Sequence, residues 1–231
     1  MGEVLVEQIE FCDLLVLNKI DKVPGDVLEE VEEVINELQP RAKMVKTTYS
    51  DVNPEKVLDT GLFDFQEISQ SAGWKRELLE GHSHADAKDA HGVNSFVYES
   101  RKPFDPKELR DFFENLSNDV VRAKGFFWVS TRKDFGYEFA VTGPTTQVMK
   151  SQIWVDALPE QQKKQFFEQR PDLKEEVEKH SFGDRENRMV FIGTNLNQEQ
   201  ITSELESIQV EETSETEEEL LPDERGEWTE I

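Results

Sequence analysis

The stretch Leu14-Leu15-Val16-Leu17-Asn18-Lys19-Ile20-Asp21 combines an apolar run with an abrupt polar ending, Asn-Lys-x-Asp. A short apolar run of this kind predicts a buried strand. The pattern therefore delivers Asn18, Lys19 and Asp21 to the carboxyl end of a strand, which is the edge where open α/β sheets bind ligands. The turn residues Lys22-Val23-Pro24-Gly25 follow directly and favour a loop at this edge.

Three side chains within residues 18–22, here named the guanine loop, match guanine: those of Asn18, Lys19 and Asp21. The Asp21 carboxylate can accept hydrogen bonds from the ring N–H and the exocyclic amine, the Asn18 amide can hold the base edge, and the Lys19 stem can cover the ring face. Adenine presents the opposite donor and acceptor pattern and would leave a carboxylate unpaired, so such a site is selective. The alternative interpretation is a strand that only runs into a polar turn.

The next elements extend this strand into half of a nucleotide-binding sheet. Residues 26–39 carry apolar side chains at helical spacing with glutamates opposite, which predicts an amphipathic helix stopped by Pro40. Residues 43–47 predict a second short strand, so Thr47 also falls at the ligand-facing edge. Strand, helix and strand in this order imply a right-handed parallel crossover within residues 1–65.

Composition excludes several classes of partner. The chain of 231 residues has 50 acidic against 26 basic residues and a formal charge of −24, which repels nucleic-acid phosphates and anionic membranes. Its single cysteine, Cys12, excludes an internal disulfide and a cysteine-based zinc cage. The sequence contains no basic-then-apolar signal segment and no run of membrane-spanning length, so we expect a cytoplasmic protein.

A histidine cluster lies in residues 66–92, a segment rich in Ser, Gly, Ala and Asp that predicts a linker. His82, His84 and His91 fall within ten residues, close to Asp86. Imidazole and carboxylate are suitable zinc ligands, and His-x-His places both rings on one side of an extended chain. The cluster predicts a transient, exchangeable metal contact. The alternative is a solvated linker that happens to contain histidines.

The remainder predicts a second domain over residues 93–209 and a disordered acidic tail over residues 210–231. Asp105, Pro106 and Glu108 together form a helix start, with an N-cap, Pro at the first helical position and Glu three residues after the cap. The buried face of this helix is predicted to carry Leu109, Phe112, Phe113, Leu116 and Val120. The other predicted elements are strands at 93–99, 126–132, 137–142, 148–155 and 189–193, helices at 159–170 and 173–180, and a closing helix capped by Asn197. This pattern is an α+β arrangement with an antiparallel sheet.

Several of these segments resemble one family, the CobW-like GTPases, which include zinc metallochaperones and the cobalamin-synthesis protein CobW. Residues 11–21 resemble the guanine-binding segment of that family. Residues 122–128 and 183–193 are similar to two motifs of its C-terminal domain, and the histidine cluster sits where the family often has a His-rich insertion. The resemblance covers about residues 3–209. We interpret Lys124, Arg185 and Arg188 in these motifs as capping or pairing residues.

The resemblance implies a partial P-loop GTPase sheet, with α/β architecture, followed by the α+β domain found at the C-terminus of CobW. The complete protein would bind GTP and Mg²⁺ and couple GTP hydrolysis to the loading or release of Zn²⁺ or a related metal on a client metalloprotein. Asn18, Lys19 and Asp21 would select guanine, with Thr47 near the base.

Three family features do not occur in the 231 residues: the GxxxxGK[ST] phosphate loop, the upstream acidic Mg²⁺-binding strand and the CxCC metal motif. Because phosphoryl transfer depends on such parts, we expect this chain alone to be inactive as a hydrolase and a native chain to carry them upstream. Two alternatives stay open. One is a stand-alone protein-interaction module that acts through protein contacts without nucleotide chemistry. Its uncovered half-sheet counts against this alternative, because such an edge is poorly stable unless it associates with another chain, for example a second copy. The other is a metal buffer using His82, His84, Asp86 and His91.

Overall fold

A computed structural model describes residues 2–62, 92–211, 220–222 and 228–230. The chain divides into two compact units, the first formed by Met1–Val97, Asn118–Arg122 and Val190–Leu196 and the second by Tyr98–Ser117, Ala123–Met189 and Asn197–Ile231. Apart from Gly92, the predicted linker at residues 66–92 lies outside the described residues. The domain boundaries therefore stay a prediction.

The elements fall in the following chain order. The helices are α1 (Gly2–Glu10), α2 (Gly25–Leu38), α3 (Pro106–Glu114), α4 (Glu160–Gln169), α5 (Pro171–Lys179) and α6 (Gln198–Ser207). The strands are β1 (Leu14–Asn18), β2 (Lys43–Thr47), β3 (Val93–Ser100), β4 (Val120–Phe127), β5 (Phe135–Thr142), β6 (Thr145–Ile153), β7 (Asn187–Thr194), β8 (Leu220–Pro222) and β9 (Trp228–Glu230). Short 3₁₀ turns cover Ile20–Lys22, Pro54–Lys56 and Val155–Ala157.

The predicted α/β half-sheet is confirmed in the first unit. Strands β1 and β2 are parallel neighbours, with Leu14 opposite Lys43 at one end and Asn18 opposite Thr47 at the other. Helix α2 connects them and buries Ile35 among its apolar positions. In the described part of the chain this parallel sheet consists of two strands.

The core of the first unit is apolar and small. Val6 of α1 and Leu38 of α2 pack in one cluster with Val190 and Ile192 of β7. Phe96 of β3, which is fully buried, stacks on Phe191 with ring centroids 5.1 Å apart. Burial of such side chains stabilises a fold by roughly 1.5–3 kcal/mol each relative to exposure.

A buried ion pair lies within the same unit. The Arg122 guanidinium donates to both carboxylate oxygens of Glu10 at 2.7 and 3.0 Å, and both residues are fully buried. The Gln39 amide also donates to the Glu10 carbonyl at 2.5 Å. Because an unpaired buried charge is expensive, these contacts hold the end of α1 in one arrangement.

The larger sheet has five strands in the order β3-β7-β4-β5-β6, which confirms the predicted α+β arrangement with an antiparallel sheet. Strands β5 and β6 form an antiparallel hairpin with Phe135 opposite Ile153 and Thr142 opposite Thr145. A Cβ atom at Gly125 of β4 would lie 2.0 Å from the Arg188 carbonyl oxygen, so only glycine permits this backbone approach.

The helix start predicted at Asp105 is confirmed. The Asp105 carboxylate accepts from the backbone N–H groups of Lys107 and Glu108 at 2.9 and 3.0 Å, and Pro106 occupies the first helical position. This cap satisfies two of the four N–H groups that a helix leaves unpaired at its start. The buried face of α3 carries Leu109, Phe112 and Phe113, and the ring centroids of Phe113 and Phe139 are 5.0 Å apart.

Two predicted elements differ from the structure. The helix ends at Glu114, and the first strand of the meander begins at Val120, whereas the sequence predicted the strand at residues 126–132. The apolar positions from Leu109 onward suggested a longer helix, but Asn115 forms the helix end, its backbone N–H donating to the Asp111 carbonyl. Residues 120–125 then alternate between the two sheet faces, as a strand requires.

Two short segments of the acidic tail are described as strands, and disorder over residues 210–231 stays a prediction. Strands β8 and β9 pair antiparallel, with Leu220 opposite Glu230 and Pro222 opposite Trp228. None of the helices in the described segments has the length and apolar character needed to cross a membrane.

Candidate guanine-binding site

The guanine loop begins where β1 ends, directly beside the end of β2. Asn18 and Thr47 are register partners in the parallel pair, so both sequence-predicted positions reach the carboxyl edge of the sheet together. Parallel strands deliver the ends of successive elements to one edge, which is why loops from distant parts of the chain can build one ligand site.

Lys19 makes the sharp turn that leads out of β1. Its backbone is left-handed, with φ 66° and ψ 29°, and its carbonyl accepts from the Lys22 N–H at 2.9 Å. For a residue with a Cβ this conformation costs about 1–2 kcal/mol. The turn starts a 3₁₀ helix over Ile20–Lys22 and leaves the Asp21 side chain 34% exposed.

The Asp21 carboxylate stays available to a ligand. Its ion pair with Lys22 is long, at 3.4 Å, and the Lys22 side chain is 66% exposed. An exposed pair of this kind contributes little, about 0–1 kcal/mol, so an incoming donor can replace it at small cost. Asp21 therefore retains the capacity to accept two hydrogen bonds from one ligand edge.

Asn18 ties the guanine loop to the residues after β2. Its amide nitrogen donates to the Ser50 hydroxyl at 2.9 Å, and its carbonyl oxygen accepts from the Ser50 backbone N–H at 3.0 Å. A side-chain amide has two N–H groups and two acceptor positions, so one N–H and one lone pair remain after these contacts. Asn18 thus positions a neighbouring loop and keeps capacity for a ligand.

Thr47 reaches the predicted edge, but its side chain turns into the protein. Thr47 is 3% exposed, and its hydroxyl donates to the Asp51 carbonyl at 2.7 Å. The Asp51 N–H in turn donates to the Thr48 carbonyl at 3.1 Å, which closes the tyrosine loop (residues 48–51). The Thr47 hydroxyl therefore shapes this loop, and only the Thr47 backbone could lie beside a base.

The sequence analysis missed Tyr49 and Ser50. Both have positive φ angles, 53° and 59°, and Ser50 is the residue that binds Asn18. No local pattern marks a serine as the partner of an amide 32 positions earlier in the chain. The polar run Thr47-Thr48-Tyr49-Ser50-Asp51 after a strand was the one available signal.

Cys12 and the histidines complete the list of candidate groups. Burial raises the pKa of the Cys12 thiol, which keeps it protonated near neutral pH and consistent with a packed rather than a nucleophilic residue. The predicted metal residues His82, His84 and His91 lie outside the described residues. Within the described part of the chain, no cluster of three or more His, Cys, Asp or Glu side chains could hold a metal ion.

The motif at residues 183–187 uses similar polar residues in a different way. The Asp184 carboxylate accepts from the backbone N–H groups of Val155 and Asp156 at 2.7 and 2.9 Å. The Arg185 guanidinium donates to the Asp156 carboxylate at 2.7 Å and to the backbone carbonyls of Lys133 and Phe182 at 2.6 and 3.0 Å.

Asn187 continues this pattern in the same motif. Its side-chain oxygen accepts from the backbone N–H of Trp128 at 2.9 Å, and its side-chain nitrogen donates to the backbone carbonyl of Lys102 at 2.7 Å. Arg185 is 7% exposed and Asn187 is 1% exposed. These contacts agree with the interpretation of Arg185 as a pairing residue, and Arg188 likewise pairs with Glu99 at 2.8 Å.

Two family models match the sequence that builds these sites. The cobalamin synthesis protein cobW C-terminal domain matches residues 93–209, and the CobW/HypB/UreG nucleotide-binding domain matches residues 2–46. The chain belongs to the CobW family. The guanine loop of this CobW-family chain lies inside the segment that matches the nucleotide-binding domain.

Individual relatives show how much of a CobW-family protein the chain represents. It is 32% identical over 210 residues to the zinc-regulated GTPase metalloprotein activator 1 of Dictyostelium discoideum, covering 88% of the chain and 43% of that protein. The chain is also similar to two Zn(II)-bound structures of the YjiA GTPase. It is 19% identical in sequence to the one from E. coli and 20% identical to that of a triple mutant. Their TM-scores are 0.40 and 0.46, and each match covers 90% of the chain and 55% of the other protein. The chain thus spans about half the length of these relatives.

Proposed function

We propose that this chain is part of a GTP-binding protein that couples GTP binding and hydrolysis to delivery of zinc or a related divalent metal to a client metalloprotein. The observation that carries the proposal is the guanine loop, which lies at the carboxyl edge of a parallel strand pair within a segment matching a nucleotide-binding domain. The Dictyostelium relative is named for zinc regulation, GTPase activity and metalloprotein activation.

In this proposal Asp21 accepts hydrogen bonds from the ring N–H and the exocyclic amine of guanine. Asn18 supports the base edge with the amide N–H that Ser50 does not use, and the Lys19 stem covers one face of the ring. Thr47 contributes backbone beside the base because its hydroxyl is bound to Asp51. The half-exposed carboxylate of Asp21 gives the guanine preference, since adenine has no donor pair to match it.

We do not assign the chemistry of hydrolysis to any of the 231 residues. No part of the 231 residues matches a phosphate-binding loop, and none of them is assigned to Mg²⁺. Bound Mg²⁺ would neutralise the charge that develops on the phosphates. The chain therefore supplies base recognition and the C-terminal domain, which we propose contacts the client.

Base recognition can be tested on the chain by titrating the ¹⁵N-labelled protein with GTP and, separately, with ATP. We expect GTP to shift the amide signals of residues 18–22 and 47–50, because the base docks on these segments, and ATP to leave them unchanged. Equal shifts with ATP, or no shifts with GTP, would contradict the proposed guanine site.

A single substitution should redirect the site toward another base. Xanthine carries a carbonyl where guanine carries the exocyclic amine, so Asp21→Asn offers that carbonyl an amide donor. We expect Asp21→Asn to weaken GTP binding by about tenfold or more, equivalent to ~1.4 kcal/mol, and to favour XTP. Asp26→Asn, an exposed change in the first turn of α2, is the matched control and should leave both affinities unchanged.

The metal function requires its own experiment, because His82, His84 and His91 lie outside the described residues. We propose that they form an exchangeable zinc contact. Zinc titration by calorimetry should show weaker binding in the His82→Ala, His84→Ala, His91→Ala triple variant. His180→Ala, which removes the fourth histidine at the end of α5, should bind as the unmodified chain does. Equal zinc affinity in all three proteins would exclude the histidine site.

A further inference from the structure

Tyr49 is an aromatic side chain that the fold leaves in solvent beside the guanine loop. It is 84% exposed, a larger fraction than any other large apolar side chain in the described residues. Large aromatic side chains normally bury most of their surface, so an almost fully exposed ring next to a ligand edge calls for an explanation.

The backbone holds Tyr49 in this position against a conformational cost. Tyr49 and Ser50 are consecutive non-glycine residues with φ angles of 53° and 59°. Such conformations persist only when surrounding contacts over-determine them, and they concentrate at functional sites. Here the contacts come from both sides of the tyrosine loop: Thr47 binds Asp51, and Ser50 binds Asn18.

The hydrogen bonds between Ser50 and Asn18 bring the tyrosine loop next to the guanine loop. Ser50 is joined to the Asn18 amide by hydrogen bonds of 2.9 and 3.0 Å, and Tyr49 is the residue immediately before it. The same amide that we propose supports the base edge therefore also positions the tyrosine ring. Any purine held between Asn18 and Asp21 would lie next to this loop.

We propose that Tyr49 stacks on the purine base and covers the face opposite the Lys19 stem. This inference rests on the proposed guanine site and adds a binding residue to it. Aromatic rings stack on any base because every base has a π face, so stacking adds affinity without reading the hydrogen-bonding edge. Tyr49 is therefore an affinity residue, whereas Asp21 is the selectivity residue.

The two roles predict different effects on binding. Tyr49→Ala should weaken GTP binding by about tenfold, and in an Asp21→Asn background it should weaken XTP binding by the same factor. Tyr49→Phe should retain the affinity, because it keeps the aromatic face. Leu58→Ala is the control, since Leu58 is another exposed apolar side chain of the first unit, 65% exposed, and should have no effect.

The deciding measurement is the ¹H chemical shift of the guanine H8 proton when GTP is titrated into the full chain. A ring stacked on the base shifts this proton upfield, so we expect the shift with the unmodified chain and with Tyr49→Phe and its loss with Tyr49→Ala. Tyr49→Leu keeps the side-chain bulk and removes the aromatic face, and it should also lose the shift. An amide spectrum of each variant verifies that the fold is retained.

The outcomes separate this inference from the function on which it rests. If GTP still perturbs the amides of Asn18 and Asp21 while Tyr49→Ala and Tyr49→Leu leave H8 and the affinity unchanged, stacking is wrong and the guanine site stands. If GTP perturbs none of these amides in the unmodified chain, the guanine site and the stacking inference both fail.

Discussion

The guanine loop and the motif at residues 183–187 contain similar polar side chains and use them in opposite ways. In the motif, Asp184 accepts with both carboxylate oxygens and Asn187 uses both ends of its amide. In the guanine loop, Asp21 has one long contact to an exposed lysine, and Asn18 keeps an unused N–H. Residue type alone therefore does not separate a ligand site from a structural network.

Burial and remaining hydrogen-bonding capacity separate the two regions. Arg185 and Asn187 are 7% and 1% exposed, and their donors are directed at backbone carbonyls and a carboxylate. Lys19 and Asp21 are exposed at the end of a strand. A buried polar group must be satisfied within the protein, whereas an exposed one can exchange water for a ligand. The contrast predicts large stability effects in the motif and small ones in the guanine loop.

We expect the largest loss of stability on substitution of Arg185. Arg185→Met removes a buried guanidinium and leaves the Lys133 and Phe182 carbonyls without this donor, so we expect the free energy of unfolding to fall by about 3 kcal/mol. Urea unfolding followed by fluorescence measures this change. Arg170→Met, which breaks the exposed pair with Asp172, is the matched control and should leave the midpoint unchanged. Equal urea midpoints for the two variants would contradict the stabilising role of the Arg185 contacts in the motif.

Asn187 should show the next largest effect. Asn187→Ala leaves the backbone N–H of Trp128 and the backbone carbonyl of Lys102 without these partners. We therefore expect the free energy of unfolding to fall by about 2 kcal/mol. The control is Asn115→Ala, because the Asn115 amide makes one exposed bond to the Asp111 carbonyl and its loss should cost less than about 1 kcal/mol. A cost at Asn187 no larger than at Asn115 would contradict the structural role of the motif.

Asn18 provides the corresponding test in the guanine loop. Asn18→Ala breaks two exposed hydrogen bonds to Ser50, so the free energy of unfolding should fall by less than about 1 kcal/mol. Ser50→Ala removes only the hydrogen bond from the Asn18 amide to the Ser50 hydroxyl, so the free energy of unfolding should fall by less than in Asn18→Ala. The same urea experiment measures both variants. A loss at Asn18 as large as that at Asn187 would show that this loop is structural as well.

The smallest effect is a pH dependence at Asp156. The hydrogen bond from Arg185 lowers the pKa of the Asp156 carboxyl below its ordinary value of 3.8. A lowered pKa in the folded state gives stability that is present above the unfolded pKa and is lost as pH falls through the folded pKa. Asp156→Asn should therefore flatten the decline in unfolding midpoint below about pH 4, measured by thermal unfolding in steps of pH. If the midpoint of Asp156→Asn declines with pH as steeply as that of the unmodified chain, the Asp156–Arg185 pair does not contribute to the pH dependence of stability.

The sequence by itself determined the features that depend on neighbouring residues. The apolar run at residues 14–17, the amphipathic pattern of α2 and the cap at Asp105 each specify an element within a few positions. For the same reason Asn18, Lys19 and Asp21 could be placed at a strand end from the sequence. The prediction failed between Glu114 and Val120, because Leu116 and Val120 continue the helical spacing of α3 whereas the helix already ends at Glu114.

Only the tertiary structure decided which polar groups are used internally. The partner of Asn18 lies 32 positions along the chain, and the partners of Asn187 lie 59 and 85 positions away. The burial of the Thr47 hydroxyl and the exposure of Tyr49 follow from how the tyrosine loop closes. Hydrogen bonds between distant residues form only after packing has brought the segments together, so local spacing carries no record of them.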